Sequence, residues 1–127
     1  MAGARGATIT TVLVVDDHVG VRLALEALIR STADLGVVGS ASGGAEAIEL
    51  VAALEPAVVV IDLAMPGTSG VEAIRAICRR RPAPAAVAFS GARTLWREAR
   101  AAGAAYTVLK DDDPERLLDT IRAACGR

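Results

Sequence analysis

Lysine is nearly missing from this chain: among 14 basic residues, Lys110 stands alone and all the others are arginine. Aromatic residues make up only 2% of the 127 positions. Phe89, Trp96 and Tyr106 are the whole set, so the core has to be built from Val, Leu, Ile and Ala. The two cysteines, Cys78 and Cys125, have no metal-ligand spacing around them and read as small, buried or half-buried thiols of a reduced cytoplasmic protein. No apolar run approaches the roughly 18 residues that a membrane span needs, and the opening MAGARGATITT holds no long apolar segment. A net charge of −1 gives no sign of a surface made for nucleic acid or for a membrane. What is present is a 53% apolar composition, in a chain long enough for one domain with a real core.

Short apolar runs alternate with amphipathic stretches of about ten residues, the pattern of βα units around a parallel sheet. TVLVV reads as the first strand, and the helix after it runs from about Val21 to Arg30 with Val21, Leu25, Leu28 and Ile29 on one face. GVVGSA is the second strand. Ser42 opens the next helix, whose buried repeat is Ala45, Ile48, Val51 and Ala52, and Glu55 and Pro56 close it. AVVVIDL, the most apolar strand, leads through the turn AMPGTSG into a helix that turns Val71, Ile74 and Ile77 inward. AAVAFS, a short helix from Leu95 to Ala102, the strand YTVL and a last helix complete the order. Asp113 caps that last helix, Pro114 fits its first position, and Leu117, Leu118, Ile121 and Ala124 form its stripe. Strict alternation predicts the α/β class: a single doubly wound, five-stranded parallel sheet with five helices on its two faces. Arg79 to Arg81, at a helix C-terminus, complement its dipole and stay solvated.

In such a sheet, ligands bind outside the carboxyl ends of the strands. The first strand ends in Asp16 and Asp17, the third in Asp62, the fourth in Ser90 and the fifth in Lys110. Two unit negative charges about 5 Å apart repel by roughly 3 kcal/mol at an effective dielectric near 20, so converging carboxylates call for a cation. Mg²⁺ takes oxygen ligands and keeps several waters, which suits two or three carboxylates with a backbone carbonyl. Lys110, a compact ammonium on a flexible stem, works as a point charge toward an anion such as a phosphoryl group.

The DD after the first strand, DLAMPGTSG after the third, Ser after the fourth and Lys after the fifth resemble the receiver domain of two-component response regulators. More narrowly, VVDDH, DLxMPGxxG and KDxxPExL resemble the receivers that precede a LuxR-type helix-turn-helix domain. The resemblance implies a flavodoxin-like sheet with strand order 2-1-3-4-5, a receiver unit spanning 11–125 and a flexible extension over 1–10. It makes Asp62 the phosphoacceptor, taking a phosphoryl group from a sensor histidine kinase. Mg²⁺ would be held by Asp17 and Asp62, by Asp16 largely through water, and by the Ala64 carbonyl. Ser90 and Lys110 would contact phosphoryl oxygens, and their movement toward the group would switch an output surface. The resemblance further implies catalysis of nothing beyond the domain's own phosphorylation and dephosphorylation, pairing of two copies on phosphorylation, and DNA contact only through an output domain outside this stretch. His18 reads as a loop residue opening the first helix, and Trp96 as a packing or partner-facing residue.

Departures from the family pattern lie toward the fourth and fifth strands. The aromatic residue usually found three before the lysine is replaced by Thr107, and Tyr106 lies one residue earlier. Strand alternation sends its ring to the opposite face unless the strand is bulged. The stretch from Ser90 to Gly103 is about two residues short of the family's usual length, and Asp111 after the lysine gives no reason for a cis peptide there. The shifted tyrosine and short loop suit a second reading, a degenerate receiver that docks partners without phosphorylation; the intact acidic set opposes it. A haloacid dehalogenase-type phosphatase would need an Asp at Ala64, and a flavodoxin-like cofactor binder would need a Ser/Thr-rich loop where DDHVG stands.

Overall fold

The β-branched runs form strands and the amphipathic stretches form helices in a computed structural model of the protein, which describes residues 8–125. The strands are β1 (Thr10–Val15), β2 (Leu35–Ala41), β3 (Val58–Asp62), β4 (Ala85–Ser90) and β5 (Tyr106–Leu109). The helices are α1 (Val19–Arg30), α2 (Gly44–Leu54), α3 (Gly70–Cys78), α4 (Trp96–Ala102) and α5 (Pro114–Ala124). All strand pairs are parallel, in the order β2-β1-β3-β4-β5. β1 begins one residue before the expected boundary because the Thr10 amide donates to the Asp34 carbonyl at 2.9 Å. The expectation of a flexible extension falls, over residues 1–7, outside the described residues.

The sheet separates two apolar cores. On one face, Leu13, Val15, Val59, Ile61 and Ala88 meet α2, α3 and α4 through Ala47, Val51, Ile74, Ile77 and Ala99. On the other, Val12, Val14, Val58, Val60, Val87 and Phe89 meet α1 and α5 through Leu25, Ile29, Leu117, Leu118 and Ile121. Each fully buried Val, Leu or Ile contributes roughly 1.5–3 kcal/mol. Aliphatic side chains thus supply nearly the whole core, as the shortage of aromatics requires.

Two helix assignments change in detail. α1 starts at Val19 rather than Val21, because His18 caps it, its Nδ1 accepting the Val21 amide at 3.4 Å. α2 starts at Gly44 rather than Ser42, since the Glu46 carboxylate takes both the Ser42 amide, at 2.9 Å, and its hydroxyl. Its buried stripe is Gly44, Ala47 and Val51, flanked by Ile48; Ala45 and Ala52 are exposed. Packing selects that rotation: a Cβ on Gly44 would collide with the Thr68 carbonyl oxygen, so this helix end lies directly on the loop after β3.

Candidate functional site

β3 is buried along its whole length, and its last residue, Asp62, is only 4% exposed. The turn after it is tight: Gly67 has φ 72°, which favours glycine, and Gly70 packs where any Cβ would strike the Asp62 carbonyl oxygen. α3 then starts with a reciprocal cap. Ser69 Oγ accepts the Glu72 amide at 3.2 Å, and the Glu72 carboxylate accepts the Ser69 amide at 3.0 Å. The SGVE spacing carries this signal, the capping-box pattern, although the reading of the sequence did not use it.

The predicted carboxylates converge. Asp16, Asp17 and Asp62 each bring an oxygen within 4.8 Å of the others. Asp16 is fully buried, its Oδ1 accepting the His18 amide at 2.9 Å and its Oδ2 the Lys110 ammonium at 2.9 Å. Lys110 Nζ also lies 3.4 Å from Asp62 Oδ1, so the one lysine bridges two acids. Asp62 Oδ1 accepts the Ala64 amide at 3.3 Å. Asp17 is exposed, and neither its carboxylate nor the Ala64 carbonyl has a hydrogen-bond partner among the described residues.

Burial holds the Asp62 carboxyl above its usual range; the Lys110 ammonium pulls it back, the Asp16 charge adds to the rise, and the Ala64 amide opposes it. Desolvation works against the Lys110 ammonium, but the Asp16 hydrogen bond and the charges of Asp62 and Asp16 outweigh it, so the group is held above its usual range. The donor set is entirely oxygen, with Asp17 and Ala64 unengaged. That is the chemistry a hard divalent cation takes.

Ser90 stands at the same edge but is turned to its own loop. Its hydroxyl donates to the Ala92 carbonyl at 2.7 Å and faces the Ala92 amide at 3.3 Å. The Lys110 amide donates to the Ser90 carbonyl at 2.8 Å, tying the ends of β4 and β5 together. β5 pairs with β4 without a register shift, and Tyr106 is 42% exposed. No bulge returns its ring to the inside, so alternation alone governs it. Trp96 begins α4, with the Arg93 guanidinium 5.4 Å from its ring centroid. Arg81 folds back onto the Cys78 and Arg80 carbonyls at 3.1 and 2.7 Å, the helix-end role expected of the arginine run. Arg79 and Arg81 are exposed as expected, but Arg80 is half-buried and its Nε is buried without a partner among the described residues. Among the described residues the cis bond is Arg81–Pro82, and Lys110–Asp111 is trans.

Comparison with known proteins identifies the class to which this α/β sheet with an acid-lined carboxyl edge belongs. The response regulator receiver domain family matches residues 12–122, and the chain belongs to that family: it is a receiver domain of the two-component response regulator type. It is 35% identical to the transcriptional regulatory protein LiaR of Bacillus subtilis over 116 residues, covering 89% of this chain and 54% of LiaR. It is also 35% identical to the nitrate/nitrite response regulator protein NarL of Escherichia coli K12, covering 91% of this chain and 55% of NarL. A crystal structure of a LuxR-family two-component response regulator from Aurantimonas superposes with a TM-score of 0.87 at 32% identity, covering 93% of this chain and 86% of that one. The chain spans about half the length of LiaR and NarL. Its relatives also include protein-glutamate methylesterases, so regulators of transcription are not the only proteins that carry this domain. Among the described residues no helix is long and apolar enough to cross a membrane.

Proposed function

We propose that this domain, spanning 11–125, accepts a phosphoryl group on Asp62 from a phosphohistidine of a sensor kinase and serves as the front half of a transcriptional regulator. The convergence of Asp16, Asp17 and Asp62 around a bridging Lys110 carries this reading. An Asp62 oxygen attacks phosphorus, a P–O bond forms, and the P–N electron pair leaves with the imidazole, which takes up a proton. Asp17, Asp62 and the Ala64 carbonyl would hold Mg²⁺, with Asp16 acting largely through water. The ion supplies charge neutralisation on the phosphoryl oxygens. Lys110 shares that charge, and Ser90 rotates from Ala92 to donate to another oxygen. We assign the domain no substrate other than its own aspartate, and any contact with DNA to an output domain.

Incubation with Mg²⁺ and acetyl phosphate should add one labile phosphoryl group by intact mass. Asp62→Ala should abolish it. Labelling that survives this substitution overturns the assignment.

A further inference from the structure

Arg22, on the first turn of α1, reaches back to the acidic corner. Its Nη1 donates to the Asp16 carbonyl oxygen at 2.8 Å, and its amide bonds the His18 carbonyl at 3.0 Å. Among the described residues Arg22 forms no ion pair with any carboxylate, although Asp16 and Asp17 lie beside the oxygen it holds. Its charge is therefore directed onto a peptide group.

That peptide joins Asp16 to Asp17. Because a peptide unit is planar, fixing the Asp16 carbonyl fixes the amide and Cα of Asp17. Asp16 is held on its other sides as well: its amide donates to Ala41 at 3.1 Å, and its side chain takes the His18 amide and Lys110. Asp17 has no hydrogen bond of its own among the described residues. Its placement is inherited from its neighbours, and the arginine supplies the one charged contact to the shared peptide. We propose that Arg22 is a positioning residue for the divalent cation, presenting the Asp17 carboxylate by clamping the Asp16 carbonyl. This rests on the reading in which Asp17 is a cation ligand.

A clamp and a mere nearby charge predict opposite signs. Removing a positive charge beside three carboxylates should tighten cation binding. Removing a clamp should weaken it, by about tenfold for a group that orients a ligand. Calorimetric titration of the full chain with Mn²⁺ and with Mg²⁺ separates the two, with folding checked by circular dichroism. Arg22→Met should bind about tenfold more weakly than the native chain, and Arg22→Lys, which keeps a donor, should recover part of the loss. Should Arg22→Met fail to fold, Arg22→Gln carries the same expectation. Equal or tighter binding by these neutral variants overturns the clamp while leaving the phosphoacceptor reading intact. A native chain whose cation binding is absent, or unchanged by Asp17→Asn, overturns both the clamp and the reading in which Asp17 is a cation ligand.

Discussion

The carboxyl ends of β1 and β3 and those of β4 and β5 share one edge of one sheet, yet the connections that leave β3 and β4 are held differently. At the first pair, Asp16 and Asp62 are buried, Gly70 is pressed against the Asp62 carbonyl, and the following helix carries a two-way cap. At the second, Gly91 has open space around it, residues 91 to 94 are exposed, and α4 starts without a side-chain cap. Under the proposed function, the tight half would place the reacting oxygen and the loose half would be free to answer it. A receiver needs both, because a site that fixes chemistry must adjoin a segment that can move cheaply.

Two valine substitutions test this contrast most severely. Gly70→Val drives a side chain into the end of β3 and should cost about 3 kcal/mol, the upper end of overpacking penalties, with phosphorylation lost. Gly91→Val should change stability by no more than about 0.5 kcal/mol. Equal costs in urea unfolding would erase the distinction.

Lys110→Met comes next, since it leaves Asp16 and Asp62 facing each other. Breaking a buried pair costs about 3–5 kcal/mol. The Lys110 side chain is 26% exposed, so roughly 1–2 kcal/mol is expected after screening, and Mg²⁺ should restore much of it.

A smaller effect follows from the raised Asp62 pKa. The folded-state value lies above the unfolded one, so the ionised folded form is penalised. This group's contribution is most favourable below the unfolded value and declines as pH rises through the folded one. Without divalent cation, Asp62→Asn should therefore melt a few degrees above the native chain at neutral pH. The difference should vanish in acid and shrink when Mg²⁺ is added to the native chain. A variant that melts lower at every pH would contradict the sign.

The smallest change belongs to Tyr106, whose ring faces outward. Tyr106→Ala should alter stability by no more than about 0.5 kcal/mol. Phosphorylation should shift the fluorescence of Trp96 and leave the solvent exposure of Tyr106 unaltered. A clear change at Tyr106 would give the ring an inward swing that the resting register does not suggest.

The alternation of strands and helices, the two-faced core and the gathering of acids were legible, because β-branched runs and strand-end residues depend only on local pattern and on the winding of the sheet; the strand order came with the family resemblance. Parity along β5 sends Tyr106 outward only if the strand is not bulged, a choice the sequence left open and the unshifted register decides. The stripe of α2 was not legible, because alanine and glycine surround that helix and hydrophobicity hardly distinguishes its sides; contact with Thr68 does. Ser90 was placed correctly but not aimed, since a hydroxyl follows the nearest acceptor, here the Ala92 carbonyl. Arg22 escaped notice because a long side chain reaching back to a peptide oxygen leaves no spacing that a sequence displays.

The hydrogen bond from the Lys110 amide to the Ser90 carbonyl makes one body of the two residues proposed to contact the phosphoryl group. A tug on either backbone is felt by the other, so half-engaged arrangements are disfavoured against none or both. The domain would then report its modification as a step rather than as a gradient, even though hydroxyl and ammonium come from different strands.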